Sequence, residues 1–189
     1  MTALTGVILA GGQGRRMGGQ DKGLVLFNGI PLYQHVLQRL RPQVDIVMIS
    51  ANRNLDRYQL SGCTVIPDTL PDYPGPLAGM LSALLAAETE WVAFCSCDTP
   101  FVPVDYVDQL WRQREKAPAV WARSAERDHP ALALLHRSLA EPLAGYLQRG
   151  ERRLMQFLRE QGGHAVQVSQ NEAPFRNVNT PEDLGENAE

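Results

Sequence analysis

The sequence predicts an α/β protein, a single domain of three α/β/α layers around a mostly parallel, Rossmann-like sheet. Short apolar runs rich in β-branched residues alternate with helical patterns from the N-terminus, the signature of βαβ units. The glycine-rich and polar residues that stand out fall just after those runs, where open α/β sheets bind ligands. A chain of 189 residues suits one such domain better than two.

Thr5–Ala10 reads as the first strand, short and apolar as a strand buried on both faces should be. A helix over Pro31–Leu40 and a strand over Val44–Ser50 follow, then Leu55–Leu60 as helix and Thr64–Ile66 as strand. Pro76–Ala87, Trp91–Cys95 and Pro103–Arg114 continue the alternation. Pro31, Pro76 and Pro103 are expected at first helical positions, where the missing N–H costs nothing. Ala119–Trp121 and Ala131–Leu135 read as strands and Ser138–Gln148 as a helix, although Pro142 inside it removes a donor. Gly150–Arg159 reads as a helix, His164–Val168 as a strand, and the chain after Thr180 as a polar tail.

With 44% hydrophobic and 21% charged residues and a formal net charge of −3, bulk charge gives no reason to expect nucleic acid as a partner. Positive charge is concentrated instead in Arg15, Arg16 and Lys22. No run approaches the roughly 18 apolar residues that crossing a bilayer needs, so the expected location is the cytoplasm, with no membrane contact. Cys63, Cys95 and Cys97 form an odd set that suits neither a disulfide framework nor a CxxC zinc site, and reduced, structural thiols are expected.

The strongest feature is the run from Leu9 to Lys22, Leu-Ala-Gly-Gly-Gln-Gly-Arg-Arg-Met-Gly-Gly-Gln-Asp-Lys, a strand entering a glycine-rich loop that holds three cations. Glycines let backbone N–H groups approach phosphate oxygens, and the cations neutralise a polyphosphate. A dinucleotide fingerprint would need a third glycine where Met17 stands, and a Walker loop would end Gly-Lys-Ser/Thr where this one has Asp21-Lys22-Gly23. Both readings fail, and with them a redox module built on NAD.

Further along, Ser50–Asn52 follows the second strand, Asp68 the third and Asp98 the fourth. An aspartate ending a buried strand suits Mg²⁺, which takes one or two carboxylates plus substrate phosphates, although Asp98 also fits a helix N-cap. Pro67-Asp68 reads equally as turn chemistry. The stretch Gly75–Gly79 is either an anion-facing helix start or a plain one. His35, His136 and His164 are expected at the surface or in packing.

The loop resembles the signature of molybdenum cofactor guanylyltransferases, which convert molybdopterin into its guanine dinucleotide form. The resemblance extends in order over nearly the whole chain, through Tyr73-Pro74-Gly75-Pro76-Leu77-Ala78-Gly79, Cys97-Asp98-Thr99-Pro100, Asp128-His129-Pro130, Gly150-Glu151-Arg152-Arg153 and Asn177-Val178-Asn179-Thr180-Pro181-Glu182. It implies that Leu9, Ala10, Gly11 and Gly12 line the guanine nucleotide, with Ser50, Asn52, Asp68 and Gly79 in the same site. It further implies that Lys22 reaches the phosphates and Asp98 holds Mg²⁺. The family often has Asn-Ala-Asn where this chain has Ser50-Ala51-Asn52, and the lost amide weakens the case for base selectivity.

On the acceptor side the resemblance points to His129, Arg153, Asn177 and Asn179. His129 also reads as part of an ordinary turn before a strand, and Arg152-Arg153 as an exposed basic turn poorly placed for the helix dipole. Thr180 reads as the N-cap of a last helix.

The implied chemistry is in-line attack of the acceptor's phosphate on the α-phosphorus of GTP, with loss of pyrophosphate and no covalent protein intermediate. Lys22, Arg16 and Asp98 with its metal would position the phosphates and stabilise the charge that develops on them. Direct delivery to molybdenum cofactor insertion and target proteins is a further expectation of the resemblance. The rival readings are a nucleotidyltransferase using CTP or a sugar phosphate, and a non-catalytic nucleotide sensor, which would not need a metal carboxylate.

Overall fold

The computed structural model describes residues 2–10, 21–68 and 76–176. Among them a seven-stranded sheet forms the middle layer. In chain order its strands are β1 (Leu4–Leu9), β4 (Ile46–Ser50), β5 (Thr64–Ile66), β6 (Trp91–Ser96), β7 (Ala119–Arg123), β8 (Asp128–His136) and β9 (His164–Gln167). Across the sheet they lie in the order β5-β4-β1-β6-β8-β7-β9. All neighbours pair in parallel except at β8, which runs antiparallel to β6 and to β7.

β1 alternates its side chains between two cores. Ile8 and Ala10 pack with α1 (Leu32–Leu40), α2 (Leu55–Gln59) and α4 (Tyr106–Gln113), through Val36, Tyr58 and Leu110 among others. Val7 and Leu9 face the opposite core with α3 (Pro76–Ala86), α5 (Ala140–Gln148) and α6 (Leu154–Glu160), through Met80, Leu143 and Phe157. The three-layer α/β/α expectation is met, because a strand buried on both faces needs a helical layer on each. In α3 the residues from Leu77 to Leu84 are all buried, as expected of a helix apolar on every side. No helix among the described residues is long and apolar enough to cross a membrane.

Several boundaries differ from the sequence expectation, each for a local reason. Pro31 precedes α1 in an extended conformation (φ −55°, ψ 142°) and closes a small hairpin, β2 (Leu26–Phe27) with β3 (Ile30–Pro31). Its turn is Asn28-Gly29, both at positive φ, the sequence pair that two-residue hairpins favour. Pro103 lies three residues ahead of α4, which starts at Tyr106, whereas Pro76 does open α3. Pro142 sits in the first turn of α5, where backbone N–H groups lack intrahelical acceptors anyway, so the helix survives it. Gly150, at φ +83°, ends α5 rather than starting the next helix, and α6 begins only at Leu154.

The largest difference is in β8, which begins at Asp128 rather than Ala131. Its pairing with β7 jumps from Trp121↔Ala133 to Ala122↔His129, so residues 130–132 bulge out of the ladder. Pro130 is tolerated there because a bulged residue has no ladder bond to donate. Asp128-His129-Pro130 is thus part of a strand, not a turn before one.

Cys95 and Cys97 are buried and Cys63 half-buried, all three as free thiols. Burial raises the pKa of both inner thiols, with the nearby Asp98 charge adding to it, which keeps them protonated.

Gly163, between α6 and β9, is hemmed in by backbone on two sides. A Cβ there would lie 2.8 Å from the carbonyl oxygens of Ala119 and Leu158. Gly163→Ala is expected to lower the free energy of unfolding by about 1–3 kcal/mol through overpacking, measured by urea denaturation.

Candidate active site

The carboxyl ends of β1, β4 and β6 open into a cleft of about 980 Å³. One side is built from Leu9, Ser50, Asp68, Asp98 and the start of α3. The other is built from the bulged part of β8, Arg127, Arg152, and a segment carrying Glu172 and Phe175. The end of β1 is held on both edges: Ala10 N–H donates to Ser50 O at 2.8 Å, and Cys97 N–H donates to Leu9 O at 3.1 Å.

Asp98 follows β6 directly. Its Oδ1 accepts a hydrogen bond from Ser96 Oγ at 2.5 Å, and its Oδ2 lies 3.9 Å from Lys22 Nζ. The next α-helix, α4, begins only at Tyr106, so Asp98 is not an α-helix N-cap. The lysine and carboxylate face each other by charge at a distance too long for a hydrogen bond. Among the described residues no group of three or more His, Cys, Asp or Glu side chains is placed to hold a metal. A single accessible carboxylate oxygen is nonetheless the donor set Mg²⁺ uses when substrate phosphates and water complete its shell.

Lys22 is positioned by its neighbour. Asp21 is 6% exposed, and its carboxylate accepts hydrogen bonds from Tyr58 Oη at 2.6 Å, Asn54 Nδ2 at 3.2 Å and Gly23 N–H at 3.2 Å. Burial, followed by the hydrogen bond to Asp21, pushes the Tyr58 phenol well above its ordinary pKa, so it stays a donor. The approach is so close that a Cβ on Gly23 would lie 2.3 Å from Tyr58 Oη. Asn54 adopts φ +55° immediately before α2.

Asp68 and Asn52 form a reciprocal pair. Asn52 Nδ2 donates to Asp68 Oδ2 and Asp68 N–H donates to Asn52 Oδ1, both at 2.8 Å. Ser50 Oγ, almost fully buried, lies 3.5 Å from Asp68 Oδ1. Ser50 and Asp68 line the cleft, whereas Asn52, bonded to Asp68, does not. Gly79 in α3 lies over this floor: a Cβ would meet Ser50 Oγ at 2.8 Å and Leu9 Cδ2 at 3.3 Å. That contact is the physical reason for glycine at this position.

On the far side, His129 lines the cleft and stacks on Phe175, with ring centroids 4.4 Å apart and planes 13° from parallel. Arg152, not Arg153, reaches the cleft; Arg153 precedes α6 and its carbonyl accepts from Tyr146 Oη. Asp128 is fixed across the hairpin by Trp121 Nε1 at 3.0 Å and Arg123 at 2.9 Å. Burial alone would raise the Asp128 pKa, but those two bonds together with the Arg123 and Arg159 charges outweigh it and hold the carboxyl below its usual range.

The structure therefore brings Leu9, Ser50, Asp68, Gly79 and Asp98 together with His129, and sets Lys22 against Asp98. Ala10 is buried at the end of β1 and does not line the cleft. Gly11, Gly12, Arg15 and Arg16, and Asn177, Asn179 and Thr180, lie outside the described residues. His35, His136 and His164 bond to backbone carbonyls or a neighbouring serine, away from the cleft. Ser96, Ser124, Glu172 and Phe175 were not singled out from sequence. Their partners include residues up to 48 positions away, and no local pattern marks such a contact.

The model of the MobA-like NTP transferase domain matches residues 6–166. A molybdenum cofactor guanylyltransferase from Serratia proteamaculans (strain 568) is 56% identical over 180 residues, covering 95% of this chain and 91% of that one. The chain belongs to the molybdenum cofactor guanylyltransferase family. A second guanylyltransferase of that name, from Yersinia pseudotuberculosis serotype O:1b, is 50% identical over 95% of this chain and 92% of its own. In fold, the chain resembles the molybdopterin-guanine dinucleotide biosynthesis protein A of Archaeoglobus fulgidus, with a TM-score of 0.78 at 24% identity over 97% and 96% of the two chains. In this chain Lys22 faces Asp98, two residues past the end of β6.

Tyr58→Phe removes the hydrogen bond from a buried phenol to the Asp21 carboxylate and leaves the ring in place. The expected loss is about 1.5–3 kcal/mol of stability, the range for hydrogen bonds to charged groups, measured by urea denaturation. Pyrophosphate release is expected to slow as well, since Lys22 loses its anchor.

Proposed function

We propose that this chain transfers GMP from GTP to the phosphate of molybdopterin, forming the guanine dinucleotide cofactor and releasing pyrophosphate. The observation that carries the reading is the Lys22–Asp98 pair at the junction of a two-sided cleft, with nucleotide-type features on one side and a separate wall on the other. A phosphate oxygen of the acceptor attacks the α-phosphorus of GTP, and the bond from that phosphorus to the bridging oxygen of the leaving pyrophosphate breaks. Nothing becomes attached to the protein.

The chain's own residues position and stabilise. Leu9 and Gly79 offer a flat apolar edge beside the polar Ser50 and Asp68, a place for the nucleoside. Lys22 neutralises the phosphates, and Arg16 and the N–H groups of Gly11 and Gly12 are proposed to join it. Bound through Asp98, Mg²⁺ would polarise phosphate oxygens and offset charge that grows on the leaving group. His129 and the basic residues near α6, with Asn177 and Asn179, are proposed for the acceptor side.

We further infer that the enzyme works as one domain in the cytoplasm, without nucleic acid, and hands its product to insertion or target proteins. A near-neutral composition and the family likeness support this.

Binding of GTP, CTP, ATP and UTP with and without Mg²⁺, compared with Lys22→Ala, tests the nucleotide half. GTP is expected to bind in preference, more weakly in the variant. A CTP preference would keep the chemistry and change the product. Asp98→Ala and Lys22→Ala are expected to lower turnover on the order of 10²–10³, the loss seen when one stabilising group is deleted. A loss below about tenfold in folded protein would remove these residues from the mechanism.

A further inference from the structure

We propose that Ser124 and Glu172 are positioning residues that hold His129 as its Nε2–H tautomer, so that its Nδ1 accepts a hydrogen bond from an N–H or O–H group of the acceptor. This rests on the reading of the cleft's far side as the acceptor half, and it assigns His129 to the acceptor's uncharged part rather than to its phosphate.

The chain of contacts is directional. Ser124 is fully buried beneath the cleft wall. Its hydroxyl lies 2.6 Å from Glu172 Oε1 and 3.0 Å from His129 Nε2. The hydroxyl also lies 3.2 Å from the Arg127 carbonyl oxygen, but that oxygen and an ionised Glu172 can only accept, and Glu172, at a distance short enough for a charge-assisted bond, takes the single Ser124 proton. The serine oxygen is then left as an acceptor, and His129 Nε2 must carry the hydrogen that points at it. Glu172 cannot easily turn away, because the same Oε1 also accepts Glu126 N–H at 2.7 Å. Phe175, three residues on, stacks on the imidazole and holds its plane. Among the described residues Nδ1 has no hydrogen-bond partner, although His129 lines the cleft.

The charged groups around the ring are Glu172, Arg127 and Asp128. Burial, the dominant influence, lowers the His129 pKa, and Arg127 acts in the same sense against the two carboxylates. The bonds from Ser124 and from Glu126 N–H hold the Glu172 carboxyl below its usual pKa, keeping it an acceptor. At neutral pH the ring is therefore uncharged, with one nitrogen committed to Ser124 and the other an acceptor. A neutral acceptor selects a donor and gives no Coulombic attraction to a phosphate.

The test has two readouts on the full chain. In ¹⁵N-histidine NMR, the signal that disappears in His129→Gln should report the neutral Nε2–H tautomer. In Ser124→Ala no oxygen is left to accept from Nε2–H, so the pattern should become a mixture of the two neutral tautomers, and Ser124→Thr should keep the original one. In Glu172→Ala the freed hydroxyl is shared between Nε2 and the Arg127 carbonyl, so the pattern should shift only part of the way toward Nδ1–H. In steady-state transfer, Ser124→Ala and Glu172→Ala should raise KM for molybdopterin roughly three- to tenfold, the worth of one hydrogen bond, with KM for GTP and kcat within about twofold. Glu172 is partly exposed, so its variant keeps the test available if Ser124→Ala fails to fold. An unchanged tautomer in folded Ser124→Ala, or an unchanged KM for molybdopterin in His129→Gln, overturns the proposal. Should the unmodified enzyme neither bind GTP nor transfer GMP, the functional reading falls instead, and the NMR result stands by itself.

Discussion

The cleft depends on β1 being buried on both faces and hydrogen-bonded on both edges until it can go no further. Val7 and Leu9 belong to one core, Ile8 and Ala10 to the other. β4 and β6 pair with it along its length, and the bonds from Ala10 to Ser50 and from Cys97 to Leu9 extend that pairing past the last strand residue. Beyond Ala10 the chain must leave the sheet. The glycine-rich run of the sequence starts at the next residue, while Ser50 pairs with Leu9 and Asp98 lies two residues past the end of β6.

The same loop is gripped at its other end by a buried carboxylate. Asp21 accepts three hydrogen bonds, one from a fully buried phenol, and a buried charge with fewer partners would be costly. One end is thus fixed by β-pairing and the other by α2 and the residue before it. Lys22 emerges from the second anchor at a set distance from Asp98. The arrangement couples a structural ion, Asp21, to the cation beside it.

Much of this was legible in the sequence. The strand and helix alternation, the proline that opens α3, and the positions of Leu9, Ser50, Asp68 and Asp98 at or just past the ends of apolar runs are local facts, and local patterns reveal them. Asn28-Gly29 is an ordinary hairpin signal, and the hairpin it forms holds Pro31 extended ahead of α1. What the sequence could not reveal depends on distance. The bulge in β8 lies between two stretches that pair with β7 in different registers, and the Ser124–Glu172 contact joins a hairpin to a segment 48 residues away. Arg152 was paired with Arg153 as one basic turn, and only the late start of α6 separates their directions.

The bulge at residues 130–132 leaves the two halves of the cleft on different mechanical footings. The nucleotide half hangs on β1, β4 and β6, where shifting a strand by one residue would turn its apolar side chains to the wrong layer. The opposite wall includes residues 130–132, which stand outside the ladder between the pairs made by Asp128 and His129 and the pairing that resumes at Ala133. Length and side-chain changes confined to that wall need not disturb the parallel core. A scaffold of this kind can diversify what it accepts while its donor site stays under strict geometric constraint, so divergence among relatives should concentrate on the bulged side.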